Sequence, residues 1–184
     1  MTFELVEAIT MEHQRIIETV DDVSRRYRRW PLGQHGTTKG VRTLIALASR
    51  HEAAEARILW PVVRDRLPET SAARARAADQ ERDTRRRLHA LQKVSGTDAS
   101  VELVQPAVEA ILRHVRLEEQ EILPALAARL DPYDAVRLGR LFEELSAQGP
   151  TRPHPHTPAI PGVLALVTPL ARRADRIRDI LRVR

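Results

Sequence analysis

The 184-residue sequence is 42% hydrophobic and has no cysteine. That is enough for one well-buried core plus an appendage, with no thiol for a disulfide, a thiolate metal site, a cysteine nucleophile or a redox motif. Lys and Arg total 30 against 25 Asp and Glu, a net charge of +5, spread through alternating signs as on a solvated, ion-paired surface, and aromatics at 3% exclude a base-stacking platform for single-stranded nucleic acid.

The opening MTFELVEAIT lacks a basic region followed by an apolar one, and the longest apolar stretch near the end, Ile160 to Ala171, is short and interrupted by Pro161 and Pro169. These features predict a cytoplasmic protein without membrane attachment. Apolar residues recur at steps of three and four with almost no alternation, so the chain reads as all-α. The first helix runs from about Phe3 to Arg29, with Val6, Ile9, His13, Ile16, Val20, Val23 and Tyr27 on one stripe. A loop over Trp30 to Gly40, carrying Pro31, Gly33, Gly36 and Gly40, follows. The second helix extends to about Leu67 with Val41, Leu44, Ala48, His51, Glu55, Ile58 and Val62 inward.

Leu67-Pro68 stops that helix, and Thr70 or Ser71 can cap a third that runs to about Val94 with Ala77, Glu81, Thr84, Leu88 and Leu91 inward. The fourth, from about Ser100 to Leu130, shows Val104, Ala107, Ile111, His114, Glu118, Ile122 and Ala125. Short connections make these antiparallel neighbours in an up-down-up-down four-helix bundle. A short fifth helix opens at Asp131-Pro132, an N-cap followed by proline, and ends before Gly149-Pro150. Residues 1–149 form the bundle domain, and residues 150–184 a tail. Six of the twelve prolines lie between Pro150 and Pro169 and make an extended strap. Leu170, Ala174, Ile177 and Leu181 then form an apolar stripe opposite Arg172, Arg176 and Arg178, predicted to pack on the bundle or on a dimer mate.

Chemistry enters with the histidines. His13, His51 and His114 lie on core stripes, and Glu55 and Glu118 follow two of them by four residues. That spacing puts an imidazole and a carboxylate about 6 Å apart on one helix face, within reach of one ion or of two adjacent ions. The segments HEAAEARILWP from His51 and HVRLEEQEILP from His114 share His, Glu at +4 and Pro at +10, a duplicated half-site that points to two metals. A single histidine on an apolar stripe is ordinarily a hydrogen-bonded core residue. Three of them, two with a glutamate one turn on, are costly to bury without a cation. Pro61 and Pro124 are expected to kink or tighten their helices just beyond the site. Ferritin-type sites need glutamate three residues before histidine, and here Thr10, Ala48, Arg86 and Ile111 stand there. A mixed imidazole and carboxylate set suits iron, ahead of manganese or zinc.

In these residues the chain resembles the hemerythrin-like, or HHE cation-binding, family. The resemblance runs through His13, through His51, Glu52, Glu55, Leu59 and Pro61, and through His114, Glu118 and Pro124, and the tail Thr151-Arg152-Pro153-His154-Pro155 is similar to one bacterial branch. It implies a four-helix bundle around two iron ions, oxo- or hydroxo-bridged, with the +4 glutamates bridging both. The family has a histidine in the third helix. Reflection through the two flanking turns places that position near residue 81, so Glu81 is favoured as its replacement, with His89 the alternative about 12 Å away along the helix. Oxygen carriers of the family have a second histidine where this chain has Arg85.

The expected metal set is therefore His13, His51, Glu55, Glu81, His114 and Glu118, with His89 and Glu52 as lesser candidates, Glu52 as a further donor. Glu119 and Glu121 read as rim residues, His35, His154 and His156 as loop or strap residues, and Tyr27 as too far from His13 to ligate. A centre with three carboxylates favours reaction with hydrogen peroxide or dioxygen, catalase-like turnover included, over reversible binding. Sensing of oxygen, nitric oxide or redox state without turnover is the alternative, and a purely structural metal is a third reading. A nucleic-acid partner is disfavoured, and a homodimer is compatible with the tail.

Overall fold

The computed structural model describes residues 3–29, 35–94 and 100–153. Helices α1 (Leu5–Arg29), α2 (His35–Glu55), α3 (Leu59–Arg66), α4 (Ser71–Val94), α5 (Ser100–Leu117), α6 (Leu123–Ala127) and α7 (Pro132–Ala147) follow in order. A 3-10 turn at Pro68–Thr70 precedes α4, a π turn at Glu118–Ile122 separates α5 from α6, and the described residues contain no strand. With α2 and α3 forming one stave and α5 and α6 another, the four staves make a four-helix bundle. Within it α4 packs chiefly on α5, and α1 on α2, while α7 lies against α1 and α2.

The predicted inward faces of α1, α2, α4 and α5 are buried, except for half-buried Val6 and Tyr27 at the two ends of α1, because their apolar residues repeat at the helical period and have one another to pack against. The Asp131 side chain accepts hydrogen bonds from the Tyr133 and Asp134 N–H groups at 3.0 Å and Pro132 opens α7, as the N-cap and proline predict. Helix α2 starts at His35, inside the segment read as loop. Gly40 tolerates helix here and serves a close approach, since a Cβ there would sit 3.2 Å from Val23 Cγ2.

Two corrections share one cause. Neither long stave is a continuous helix: after Glu55 the backbone turns through Ala56, Arg57 and Ile58 before α3, and after Glu118 it widens into the π turn, with Leu123 N–H donating to Glu118 C=O five residues back. Each irregularity comes just before the proline of its motif, a residue whose missing N–H is tolerated where the ladder is already broken. The phase therefore slips by one residue. Leu59 and Val63 are buried in place of Ile58 and Val62, and Leu123 and Leu126 in place of Ala125.

The core divides into two apolar lobes. One gathers Leu5, Ile9, Leu59, Val63, Ile122, Leu126 and Phe142, and the other Ile16, Val20, Val23, Leu44, Leu88 and Ile111. Between them lies a layer of buried ionisable side chains. Of the strap, residues 150–153 are described, with Pro150 and Pro153 buried, and the remainder, with His154, His156 and the stripe from Leu170 to Leu181, lies outside the described residues.

Candidate metal centre

That layer contains His13 from α1, His51 and Glu55 from α2, Glu81 from α4, His114 from α5 and Glu118 from the first residue of the π turn, all buried. Helical spacing brings His51 and Glu55, and His114 and Glu118, one above the other on inward faces. His51 Nε2 is 2.8 Å from Glu55 Oε1, and His114 Nε2 is 3.1 Å from Glu118 Oε1. Across the bundle, His13 Nε2 is 3.1 Å from Glu118 Oε2 and 3.9 Å from Glu55 Oε1, and His114 Nε2 is 3.7 Å from Glu55 Oε2.

Each of the two glutamates thus splits its oxygens. Glu55 Oε1 and Glu118 Oε2 face His13 and His51, whereas Glu55 Oε2 and Glu118 Oε1 face His114. Ligand atoms of His13, His51, Glu55 and Glu118 lie within 4.8 Å of one another, as do those of Glu55, Glu81 and His114. Glu55 belongs to both groups.

The donor set fits cations by a further observation. His51 Nε2, both Glu55 oxygens, His114 Nε2 and Glu118 Oε1 are buried and make no aligned hydrogen bond, although they approach one another closely. Such atoms face a common third point better than they face each other. Separations near 3 Å match the edges of a coordination shell whose metal–ligand bonds would be about 2.1 Å.

Outer contacts orient two of the rings. His13 Nδ1 lies 3.0 Å from Glu119 Oε1 and His51 Nδ1 lies 3.0 Å from Glu12 Oε2, so each ring donates outward and turns Nε2 toward the centre. Glu119, which the sequence places at the rim, is partly exposed there and also reaches a core histidine. Nothing in the spacing within α1 marks Glu12, because its partner is on another helix. The ring of Phe142 meets that of His51 edge-on at 5.9 Å.

Electrostatics show how much charge is confined here. Burial alone would depress the His51 and His114 imidazoles. For His51 the charges of Glu55 and Glu12 and the hydrogen bond to Glu12 outweigh it, and for His114 the charges of nearby Glu118 and Glu55 do, so both rings are held well above their usual value. Burial would raise Glu118, but His114 and His13 hold it well below. Burial pushes Glu81 up to about 7 and Glu52 up to about 8, with His114 and Arg85 respectively opposing it. Arg85 is itself buried, 3.4 Å from Glu81 Oε2 and 3.7 Å from Glu52 Oε2. Glu52 therefore stands beside the cluster through Arg85. His89, two turns along α4 from Glu81, is not among the grouped ligand atoms, and Tyr27 packs with the second apolar lobe.

The model of the family described as Hemerythrin HHE cation binding domain matches residues 4–126, which span α1 to α6 and every inner side chain named above. No curated protein and no solved structure matches the chain. No helix among the described residues is long and apolar enough to cross a membrane.

Proposed function

We propose, for a chain that belongs to the hemerythrin HHE cation-binding domain family, that the buried cluster holds two iron ions and reacts with hydrogen peroxide or dioxygen. The observation that carries this reading is the split of Glu55 and Glu118, whose paired oxygens turn toward different histidines. One ion would be held by His13 and His51 and the other by His114 and Glu81, with Glu55 and Glu118 within reach of both. Iron suits a set of imidazole and carboxylate donors without thiolate, and supplies a Lewis-acidic, redox-active position for a small oxygen ligand.

The remaining work belongs to the chain. His13 and His51 are aimed by Glu119 and Glu12, and Glu81 is held by Arg85 from the next turn of α4. The two apolar lobes keep bulk water from the centre, which strengthens every charge interaction inside it. Arg85 stands where the family's oxygen carriers have a further histidine, and three carboxylates in the cluster favour the oxidised metal. Both features support peroxide or dioxygen chemistry over reversible carriage.

Elemental analysis of protein produced in iron-replete medium is expected to give about two iron ions per chain, with near-ultraviolet absorption and oxygen evolution on addition of peroxide. Stoichiometric zinc without iron would refute the metal assignment. Reversible spectral response to dioxygen or nitric oxide without turnover would favour a sensor.

A further inference from the structure

The six inner side chains fall into two halves that the surrounding protein supports differently. In the half built on His13 and His51, both rings have a carboxylate on the outer nitrogen, Glu119 at 3.0 Å and Glu12 at 3.0 Å. Glu12 also hydrogen-bonds Ser146 of α7, a helix beyond the segment matched by the family model. In the other half, His114 Nδ1 is buried without a hydrogen-bond partner. Its companion Glu81 has Oε2 3.4 Å from the Arg85 guanidinium, which Glu52 shares at 3.7 Å.

These differences act in one direction. A carboxylate on the outer imidazole nitrogen fixes the tautomer, holds the ring and makes its inner nitrogen a stronger donor. A guanidinium on a ligand carboxylate competes with the cation for the same oxygen. We propose that the two metal positions are unequal: the His13/His51 position fills first and retains its ion, whereas the His114/Glu81 position fills second and exchanges it. Glu12 and Glu119 are positioning residues for the first position, and Arg85 weakens the second.

The inference rests on the two-ion reading above, and its test separates the two. Metal-free full-length protein is titrated with zinc, which is redox-silent, by calorimetry, and with cobalt(II) to follow its visible spectrum. Two steps are expected, separated by about tenfold or more in affinity. Glu12→Gln and Glu119→Gln keep a hydrogen-bond acceptor but remove its charge, and each weakens the first step by about tenfold while leaving the second less affected. Glu12→Ala, which removes the acceptor as well, weakens it further, so the glutamine variant is a partial rescue.

Arg85→Gln combined with Glu52→Gln removes the buried pair as a unit and tightens the second step. One zinc per chain, or none, would defeat the two-ion reading itself. Two ions of indistinguishable affinity, or outer-carboxylate variants that weaken both steps alike or only the second, would overturn this inference and leave that reading standing.

Discussion

Glu81 and His89 lie on the same helix, and only Glu81 faces the buried layer with His114 and Glu55. Glu81→Ala is expected to lose about one ion of the pair, because His114 keeps only the shared glutamate oxygens beside it. His89→Ala should keep both ions, and Glu81→His should restore two, since imidazole replaces carboxylate at similar reach. Iron lost from His89→Ala and retained in Glu81→Ala would put the register of α4 wrong by two turns. The glutamates at +4 differ in kind from their neighbour. Glu55→Ala or Glu118→Ala removes a donor from both positions and should empty the site, whereas Glu119→Ala removes only an outer support of His13 and should leave most of the metal bound after desalting. Equal metal content in all three variants would contradict the geometry.

The staves themselves show what periodicity can and cannot report. The stripes through Ile9 to Val23, Val41 to Glu55, Ala77 to Leu91 and Val104 to Glu118 are legible because a regular helix repeats every 3.6 residues and each stripe has a partner to bury it. The slips after Glu55 and Glu118 are not, because extrapolating a regular helix cannot register one extra residue in the backbone; Pro61 and Pro124 mark only their places. Glu12 is silent in the sequence for a related reason: its partner His51 is on another helix, and no spacing within α1 reveals it. Magnitudes decide whether the prolines cause the slips. Straightening the stave after Glu118 would exchange buried Leu123 and Leu126 for Ala125, a loss of about 1.5 to 3 kcal/mol per leucine. The regained backbone hydrogen bond offers about 1 kcal/mol. Pro124→Ala should therefore keep both the π turn and the metal, with melting close to that of the unaltered protein. Deleting exposed Gln120 from the π turn, together with Pro124→Ala, should give a regular helix with both faces in register and ions retained. Deleting exposed Arg113 should instead rotate everything after it off the core and abolish binding. If the two deletions behave alike in metal content and circular dichroism, the slip is not one inserted residue.

Across the whole molecule, two apolar lobes enclose a charged layer that neither lobe can solvate, so the stability of the bundle depends on what neutralises that layer. In the metal-free chain, protons do so. His51 and His114 are held above their ordinary 6.5, and Glu81 and Glu52 are raised from 4.5 to about 7 and about 8. All four groups bind more protons folded than unfolded over the range between those values, so folding stability falls as pH rises through it. The carboxylates lose their contribution from 4.5 toward 7 and 8, and the histidines from 6.5 upward through their folded values. Glu118, held low, has the opposite sign and matters only in acid, where its contribution is lost below 4.5. The metal-free protein should accordingly melt lower at pH 8 than at pH 6, by on the order of 5 °C. Cations take the places of these protons, so zinc binding at pH 7 should release protons into a weak buffer, and apparent affinity should rise with pH. The melting temperature of the loaded protein should then hold or rise over the same interval in which that of the metal-free protein falls. Parallel curves for the two forms, scanned from pH 6 to pH 8, would mean that the ions and the protons do not compete for one layer.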